Sequence, residues 1–133
     1  MLKIEHIGIA VKDLKASEEL FSTLFGKDNY KQETVEEEGV LTSFFNMGES
    51  KIELLQALNN ESPIAKFIEK KGEGIHHLAV EVKDIYLEMG RLKSLGFQLL
   101  SDKPKKGADN KLICFVHPKS CNGVLIELCQ SIE

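Results

Sequence analysis

Two histidines and two glutamates occur at repeated positions of this chain, and together they could bind a metal ion. His6 and His77 are 71 residues apart, and Glu53 and Glu127 are 74 residues apart. Neutral imidazoles and carboxylates are ligands that divalent first-row metals take in proteins. Two carboxylates would also balance the charge of a 2+ ion, with ligand bonds of about 2.0–2.2 Å. The four residues therefore indicate a candidate metal site, provided that the fold brings them together.

Each of these four residues lies in a segment that has a counterpart elsewhere in the chain. Residues 6–14 read His-Ile-Gly-Ile-Ala-Val-Lys-Asp-Leu, and residues 77–85 read His-Leu-Ala-Val-Glu-Val-Lys-Asp-Ile. Residues 51–56 read Lys-Ile-Glu-Leu-Leu-Gln, and residues 125–130 read Leu-Ile-Glu-Leu-Cys-Gln. Two matches in the same order and at nearly equal offsets predict two copies of one structural unit.

The repeated unit has the pattern βαβββ. Alternating apolar residues predict strands over 3–11 and 75–82, and Asp13 and Asp84 then stand where helix N-caps are expected. Further strands are predicted at about 29–37, 40–47, 51–56, 97–101, 111–117 and 124–130. Ser62 and Gly72 frame a third helix between the two copies, with a proline at its first position.

The two helices of the repeats are predicted to bury one apolar face each. In the first helix this face consists of Leu14, Leu20, Phe21, Leu24 and Phe25. In the second helix it consists, less cleanly, of Ile85, Leu87, Met89, Leu92 and Leu95.

Strand alternation also predicts where the four polar residues point. In the first strand Ile7, Ile9 and Val11 must face the helix that follows, so His6 points to the other face of the sheet. The same alternation applies to the strands that carry the other three residues. We therefore expect all four side chains to project from the face of the sheet that carries no helix.

Length and composition fit one globular domain, and the repeated βαβββ pattern predicts the α+β class. The chain has 133 residues, of which 42% are hydrophobic and 29% charged. A net charge of -4 and a scarcity of aromatic residues are unlike a nucleic-acid-binding protein, so no nucleic-acid partner is expected. No membrane helix, signal peptide or disulfide framework is evident, so we expect a cytoplasmic protein without a membrane partner.

Over essentially its whole length the chain resembles the vicinal-oxygen-chelate (glyoxalase/bleomycin-resistance) superfamily, and within it the methylmalonyl-CoA epimerases. The segments that carry this resemblance are His-Ile-Gly-Ile-Ala-Val (6–11), Glu-Leu-Leu (53–55), Asn-Glu-Ser-Pro-Ile-Ala-Lys-Phe (60–67), Gly-Ile-His-His (74–77), His-Pro-Lys-Ser (117–120) and Gly-Val-Leu-Ile-Glu-Leu (123–128). The resemblance implies two tandem βαβββ modules that pair into a curved mixed sheet, a glyoxalase-like cup with helices on its outer face. We expect a single domain over 1–133, with module one at about 1–58, the joining helix at about 62–72 and module two at about 74–133.

The resemblance also implies a site and a reaction. His6, Glu53, His77 and Glu127 would hold one divalent ion, cobalt by resemblance, although nickel, manganese and zinc accept the same ligands. The implied reaction interconverts the C2 epimers of methylmalonyl-CoA, an acyl-CoA substrate, with Glu127 as the catalytic carboxylate. Some epimerases carry a glutamate acid/base at a third-strand position that aligns with Thr42.

The same resemblance implies substrate contacts and a dimer, and two further histidines need an interpretation. Thr42 and Lys119 are expected to contact the substrate, and the superfamily's edge-on pairing predicts a homodimer. His76 is expected to be a packed histidine beside the site. His117, at a strand end, fits either a loop role or a place at the substrate mouth.

Three other functions remain compatible with parts of this pattern. A glyoxalase I would isomerise the glutathione–methylglyoxal hemithioacetal with the same metal and glutamates. A metal-free binding module of the bleomycin-resistance kind usually lacks these ligands. An extradiol dioxygenase uses two histidines and one glutamate on iron, so the second glutamate argues against that function.

Overall fold

The structure, a computed structural model, describes residues 1–132, and within them it contains eight strands and three α-helices. The strands are β1 (Lys3–Ala10), β2 (Lys31–Val35), β3 (Val40–Met47), β4 (Ser50–Ala57), β5 (Gly74–Glu81), β6 (Lys105–Lys106), β7 (Lys111–Val116) and β8 (Ile126–Ser131). The helices are α1 (Leu14–Phe25), α2 (Pro63–Lys71) and α3 (Ile85–Ser94). Residue 133, the expected end of the second module, lies outside the described residues.

The chain divides into two compact units, and strands β1 and β5 contribute residues to both. The C-terminal unit comprises Met1–His6 and His77–Glu133, and the central unit comprises Ile7–His76. Compared with the predicted modules, the first six residues belong with the second repeat, and α2 belongs with the first.

The strand order in each unit follows from the hydrogen-bonded neighbours. It is β2-β3-β4-β1 in the central unit and β1-β5-β8-β7-β6 in the C-terminal unit. Strands β5 and β8 run parallel, whereas β2/β3, β3/β4, β6/β7 and β7/β8 are antiparallel. The mixed sheet that we expected is therefore present.

The predicted N-caps are confirmed in all three helices. The Asp13 carboxylate accepts from the third residue of α1 at 3.2 Å, and the Asp84 carboxylate accepts in the same way at the start of α3. The Ser62 hydroxyl accepts from a backbone N–H of α2, which begins with Pro63. Each cap satisfies a backbone donor that the first helical turn leaves without a partner.

A second contact at the helix starts is shared by the two repeats. Leu14, the first residue of α1, donates its N–H to Gln56 Oε1 at 2.6 Å. Ile85, the first residue of α3, donates its N–H to Gln130 Oε1 at 2.7 Å. Both glutamines stand three residues after a predicted ligand glutamate, so each repeat ties the strand of that glutamate to its own helix.

The core of the central unit lies between α1 and the strands. Leu14, Phe21 and Phe25 of α1 pack on this core, since they share one stripe of a helix with 3.6 residues per turn. Leu20 and Leu24 lie about 100° away from that stripe, and they are 63% and 69% exposed. Their predicted burial is wrong, because the apolar face of α1 in contact with the sheet is narrower than its sequence indicates.

The core of the C-terminal unit lies between α3 and its strands. Ile85, Met89 and Leu92 of α3 are buried there, as expected. Leu87 is 73% exposed because it points to the opposite side of the helix from Ile85, and Leu95 is 63% exposed at the helix end. The burial predicted for these two leucines is wrong.

The strand predicted at 97–101 is also wrong. Within this segment a single bridge joins Leu99 to Val116, while Phe97 and Leu99 pack their side chains against the core below α3. The next strand in the chain is the two-residue β6, which pairs with β7. Within residues 1–132, no helix has both the length and the apolar character needed to cross a membrane.

Candidate metal centre

Three of the four predicted ligand residues converge in the C-terminal unit. His6 Nε2 lies 3.0 Å from His77 Nε2. Glu127 Oε1 lies 2.9 Å from His77 Nε2 and 3.3 Å from His6 Nε2. The three residues are 4–5% exposed, so their side chains form a buried polar cluster.

Sheet register and alternation place this cluster. Glu127 of β8 pairs with Ala79 of the parallel strand β5, two residues after His77. On the other side Glu127 pairs with Phe115 of β7, whose ring stands edge-on to the His77 ring at 5.7 Å. The neighbours of Glu127 in sequence pack toward α3, so Glu127 and His77 project from the opposite face, as predicted.

The spacing of the three ligand atoms fits a divalent ion. Two atoms bonded to one such ion at about 2.0–2.2 Å, with bond angles between octahedral and tetrahedral, lie between about 2.8 and 3.6 Å apart. The measured separations of 2.9, 3.0 and 3.3 Å fall within this range. Two imidazole nitrogens and a carboxylate oxygen are also a donor set that several first-row metals accept. The cluster could therefore hold a metal ion.

The electrostatics of the cluster favour an ionised carboxylate. Burial raises the pKa of the Glu127 carboxyl, but attraction by His77 and a hydrogen bond from His77 outweigh burial. The pKa of Glu127 therefore lies below its ordinary value. At neutral pH the Glu127 carboxylate is therefore ionised, as a metal ligand must be.

The sequence pattern did not reveal Glu5, which the structure adds to this site. Glu5 is 3% exposed, and its Oε1 lies 2.8 Å from His6 Nδ1. Glu5 and His6 are adjacent in β1, and both are buried. An acidic residue directly before the histidine was the signal that could have drawn attention to it.

Glu53, the fourth predicted ligand, lies in the central unit. It is 3% exposed and pairs with Phe44 of β3. Its neighbours Ile52 and Leu54 pack toward α1, so Glu53 projects from the opposite face of the sheet, as predicted. Its role as a ligand stays a prediction.

The two predicted substrate contacts lie in different environments. Thr42 of β3 is fully buried, and its Oγ1 has no hydrogen-bond partner within the described residues 1–132. Thr42 also shares its sheet face with Phe44, the partner of Glu53. Lys119 is exposed on a short 3₁₀ turn, Pro118–Ser120. Both roles stay predictions.

The two remaining histidines have local structural contacts. The His76 ring packs edge-on against Phe67 of α2 with centroids 4.9 Å apart, which confirms a packed histidine. His117 Nδ1 accepts the N–H of Lys119 at 3.0 Å and thereby caps the turn that follows β7. This contact supports the loop role of His117.

The similarity of the chain to known proteins can be set beside this geometry. Residues 5–115 match the family described as the Glyoxalase/Bleomycin resistance protein/Dioxygenase superfamily. The chain belongs to this superfamily. Its fold is accordingly the α+β, glyoxalase-like fold, in which the described residues form eight strands and three helices.

Relatives within the superfamily match nearly the full chain. Ethylmalonyl-CoA/methylmalonyl-CoA epimerase from Cereibacter sphaeroides is 41% identical over 130 residues, which cover 96% of this chain and 97% of that protein. The crystal structure of the hypothetical protein BH1468 from Bacillus halodurans is 44% identical, with a TM-score of 0.95 over 98% of this chain and 95% of the other. A variant of Streptomyces coelicolor methylmalonyl-CoA epimerase in complex with 2-nitronate-propionyl-CoA is 34% identical, with a TM-score of 0.94 over 100% of this chain and 99% of the other.

Proposed function

We propose that this protein is a metal-dependent epimerase that interconverts the two C2 epimers of methylmalonyl-CoA. The observation that carries the proposal is the buried convergence of His6, His77 and Glu127, whose ligand atoms lie within 3.3 Å of one another. The chain's similarity to epimerases of acyl-CoA thioesters selects this reaction within a superfamily of varied chemistry.

The residues that would hold the metal are the two histidines, through Nε2, and the carboxylates of Glu127 and Glu53. We favour cobalt from the family resemblance, and nickel, manganese and zinc suit the same donors. When bound, a divalent ion supplies a Lewis acid that stabilises negative charge developing on the thioester oxygen.

The difficult step of the reaction is removal of the proton on C2, next to the thioester carbonyl. In the proposed step Glu127 accepts this proton, and the C–H electron pair becomes the enolate-like anion of the substrate. Return of a proton to the opposite face of C2 completes the epimerisation. Because the pKa of Glu127 is lowered, its carboxylate is available to accept a proton but is a weak base. The step therefore depends on stabilisation of the anion.

Thr42 is the residue we propose as a substrate contact in the central unit. A buried hydroxyl without a partner costs about 1–3 kcal/mol, and an oxygen of the substrate could accept its hydrogen bond. An alcohol is too weak an acid to replace a glutamate as proton carrier, so the second proton transfer would use another group or a water molecule. For Lys119 we propose contact with a negative charge of the acyl-CoA, since its ammonium is exposed.

The homodimer and the cytoplasmic location expected above belong to the same proposal. The family resemblance supports the homodimer, and the composition supports the location. Light scattering coupled to size-exclusion chromatography tests the first, with the mass of one chain, 14.9 kDa, as the contradicting result.

Exchange of the C2 proton with solvent tests the function. We expect cobalt-loaded protein in D₂O to replace the C2 proton of methylmalonyl-CoA with deuterium, measured by proton NMR. Protein treated with a chelator should lose this activity and regain it when cobalt is added. The glutathione–methylglyoxal hemithioacetal is assayed in parallel. Turnover of the hemithioacetal without exchange on methylmalonyl-CoA would assign the protein to glyoxalase I chemistry instead.

A further inference from the structure

We propose that Glu5 is a positioning residue for His6, with Lys111 paired to its second carboxylate oxygen. This inference rests on the proposed metal-binding function. All the residues that carry it lie in the C-terminal unit, so it depends on that unit alone.

The hydrogen bond between Glu5 and His6 selects one form of the imidazole ring. Glu5 Oε1 lies 2.8 Å from His6 Nδ1, and both residues are buried. An ionised carboxylate can only accept, so Nδ1 carries the hydrogen. In the neutral ring Nε2 is then unprotonated. Nε2 is the nitrogen that lies 3.0 Å from His77 and 3.3 Å from Glu127.

Lys111 occupies the other side of the Glu5 carboxylate. Its Nζ lies 3.9 Å from Glu5 Oε2 and 4.0 Å from Glu81 Oε1, and it donates to Ser131 Oγ at 2.8 Å. The side chains of Lys111 and Glu5 are only 12% and 4% exposed. Because a buried carboxylate is costly without a partner, the lysine offsets the burial of Glu5.

The two oxygens of Glu5 therefore have separate tasks. Oε1 accepts the hydrogen bond from the His6 ring, and Oε2 faces the Lys111 ammonium, so each oxygen of the carboxylate has its own partner. The register that pairs Lys111 of β7 with Ser131 of β8 places the lysine at this position. A carboxylate that orients a ligand imidazole is worth about 10–100-fold in metal affinity.

Variants at Glu5 separate this role from general stabilisation of the fold. Glu5→Ala removes the acceptor and the charge, whereas Glu5→Gln keeps an acceptor of the same length. Glu81→Gln is the matched control, because the Glu81 carboxylate also faces Lys111, at 4.0 Å from its Nζ. Circular dichroism checks that each variant is folded, and Lys111→Met provides an independent perturbation if Glu5→Ala is not.

Two measurements are made on each variant. Nitrogen-15 NMR of the histidine rings, on the protein without metal, reports which nitrogen of His6 is protonated. Isothermal titration with Co²⁺ reports metal affinity. We expect the Nδ1–H form in the wild type, a mixture of forms in Glu5→Ala and Co²⁺ binding that is about 10–100-fold weaker. Glu5→Gln should fall between them, Lys111→Met should shift both readouts in the direction of Glu5→Ala, and Glu81→Gln should match the wild type.

The outcomes distinguish this inference from the proposed function. Wild-type tautomer and wild-type Co²⁺ affinity in Glu5→Ala would overturn the positioning role, even in an active enzyme. An equal loss of affinity in Glu81→Gln would overturn it as well, since the effect would then be one of charge alone. If the wild type itself bound no Co²⁺, the metal function would fail, whereas the tautomer measurement would still decide whether Glu5 sets the state of His6.

Discussion

Shortening Glu127 by one methylene tests the metal centre most directly. In Glu127→Asp the carboxylate keeps its charge, but its oxygens recede by about 1.5 Å, the length of one carbon–carbon bond. The contacts to His77 Nε2 and His6 Nε2, now 2.9 and 3.3 Å, would lengthen to about 4.4 and 4.8 Å, beyond hydrogen-bond reach. The complementary variant Glu127→Gln keeps the length of the side chain and removes its charge.

Both variants are expected to lose exchange of the C2 proton by about 10²–10⁴-fold, the usual contribution of a positioned acid or base. The structure supports a large loss because the cluster is buried, with its residues 4–5% exposed. Bulk water therefore has little access to take over the role of the missing carboxylate.

The assay follows deuterium incorporation into methylmalonyl-CoA, with equal amounts of metal-loaded wild type and variants. Glu88→Gln is the control, because Glu88 lies on α3 and pairs with Arg91 of the same helix. It should keep the wild-type rate. If both Glu127 variants retained more than about a tenth of that rate, far above the loss expected for a catalytic carboxylate, the assigned role would be refuted.

Three further predictions concern stability. Gln56→Ala and Gln130→Ala should each lower the free energy of unfolding by about 1 kcal/mol, since each removes the acceptor of a helix N–H; urea unfolding measures this. Leu128→Ala should lower it by about 2–5 kcal/mol in the same assay, because Leu128 is fully buried against α3. In the protein without metal, the contribution of Glu127 is complete above about pH 4.3. This contribution to the free energy of unfolding is lost as the pH falls toward the lower pKa of Glu127 in the folded state, since the unfolded chain takes up the proton first. Glu127→Gln should therefore make the free energy of unfolding depend less on pH in this acidic range.

Each stability prediction has a clear contrary result. Unchanged unfolding curves for both glutamine variants would mean that water replaces the side-chain acceptor. A cost below about 1 kcal/mol for Leu128→Ala would mean that the core closes over the cavity. If the free energy of unfolding fell equally with decreasing pH in the wild type and in Glu127→Gln, this result would contradict the lowered pKa of Glu127.

Several structural features of this protein could be predicted from local patterns in its sequence. The N-caps Asp13, Ser62 and Asp84 were predictable because a cap depends on residues within one helical turn. The faces taken by His77 and Glu127 were predictable because side chains alternate along a strand. The internal repeat predicted two copies of the βαβββ unit, and the family resemblance predicted the reaction.

Other features required the tertiary structure, because they depend on partners distant in the chain. Glu127 meets His77 through the parallel register of β8 on β5, and strand alternation does not specify register. Glu5 is buried with its carboxylate facing Lys111, which lies more than a hundred residues later in the sequence. Leu20 is exposed although its helix is amphipathic, since the area of sheet available to α1 sets how wide a stripe it can cover. Periodicity thus predicts the direction of a side chain, whereas its distances and contacts arise only when the elements pack.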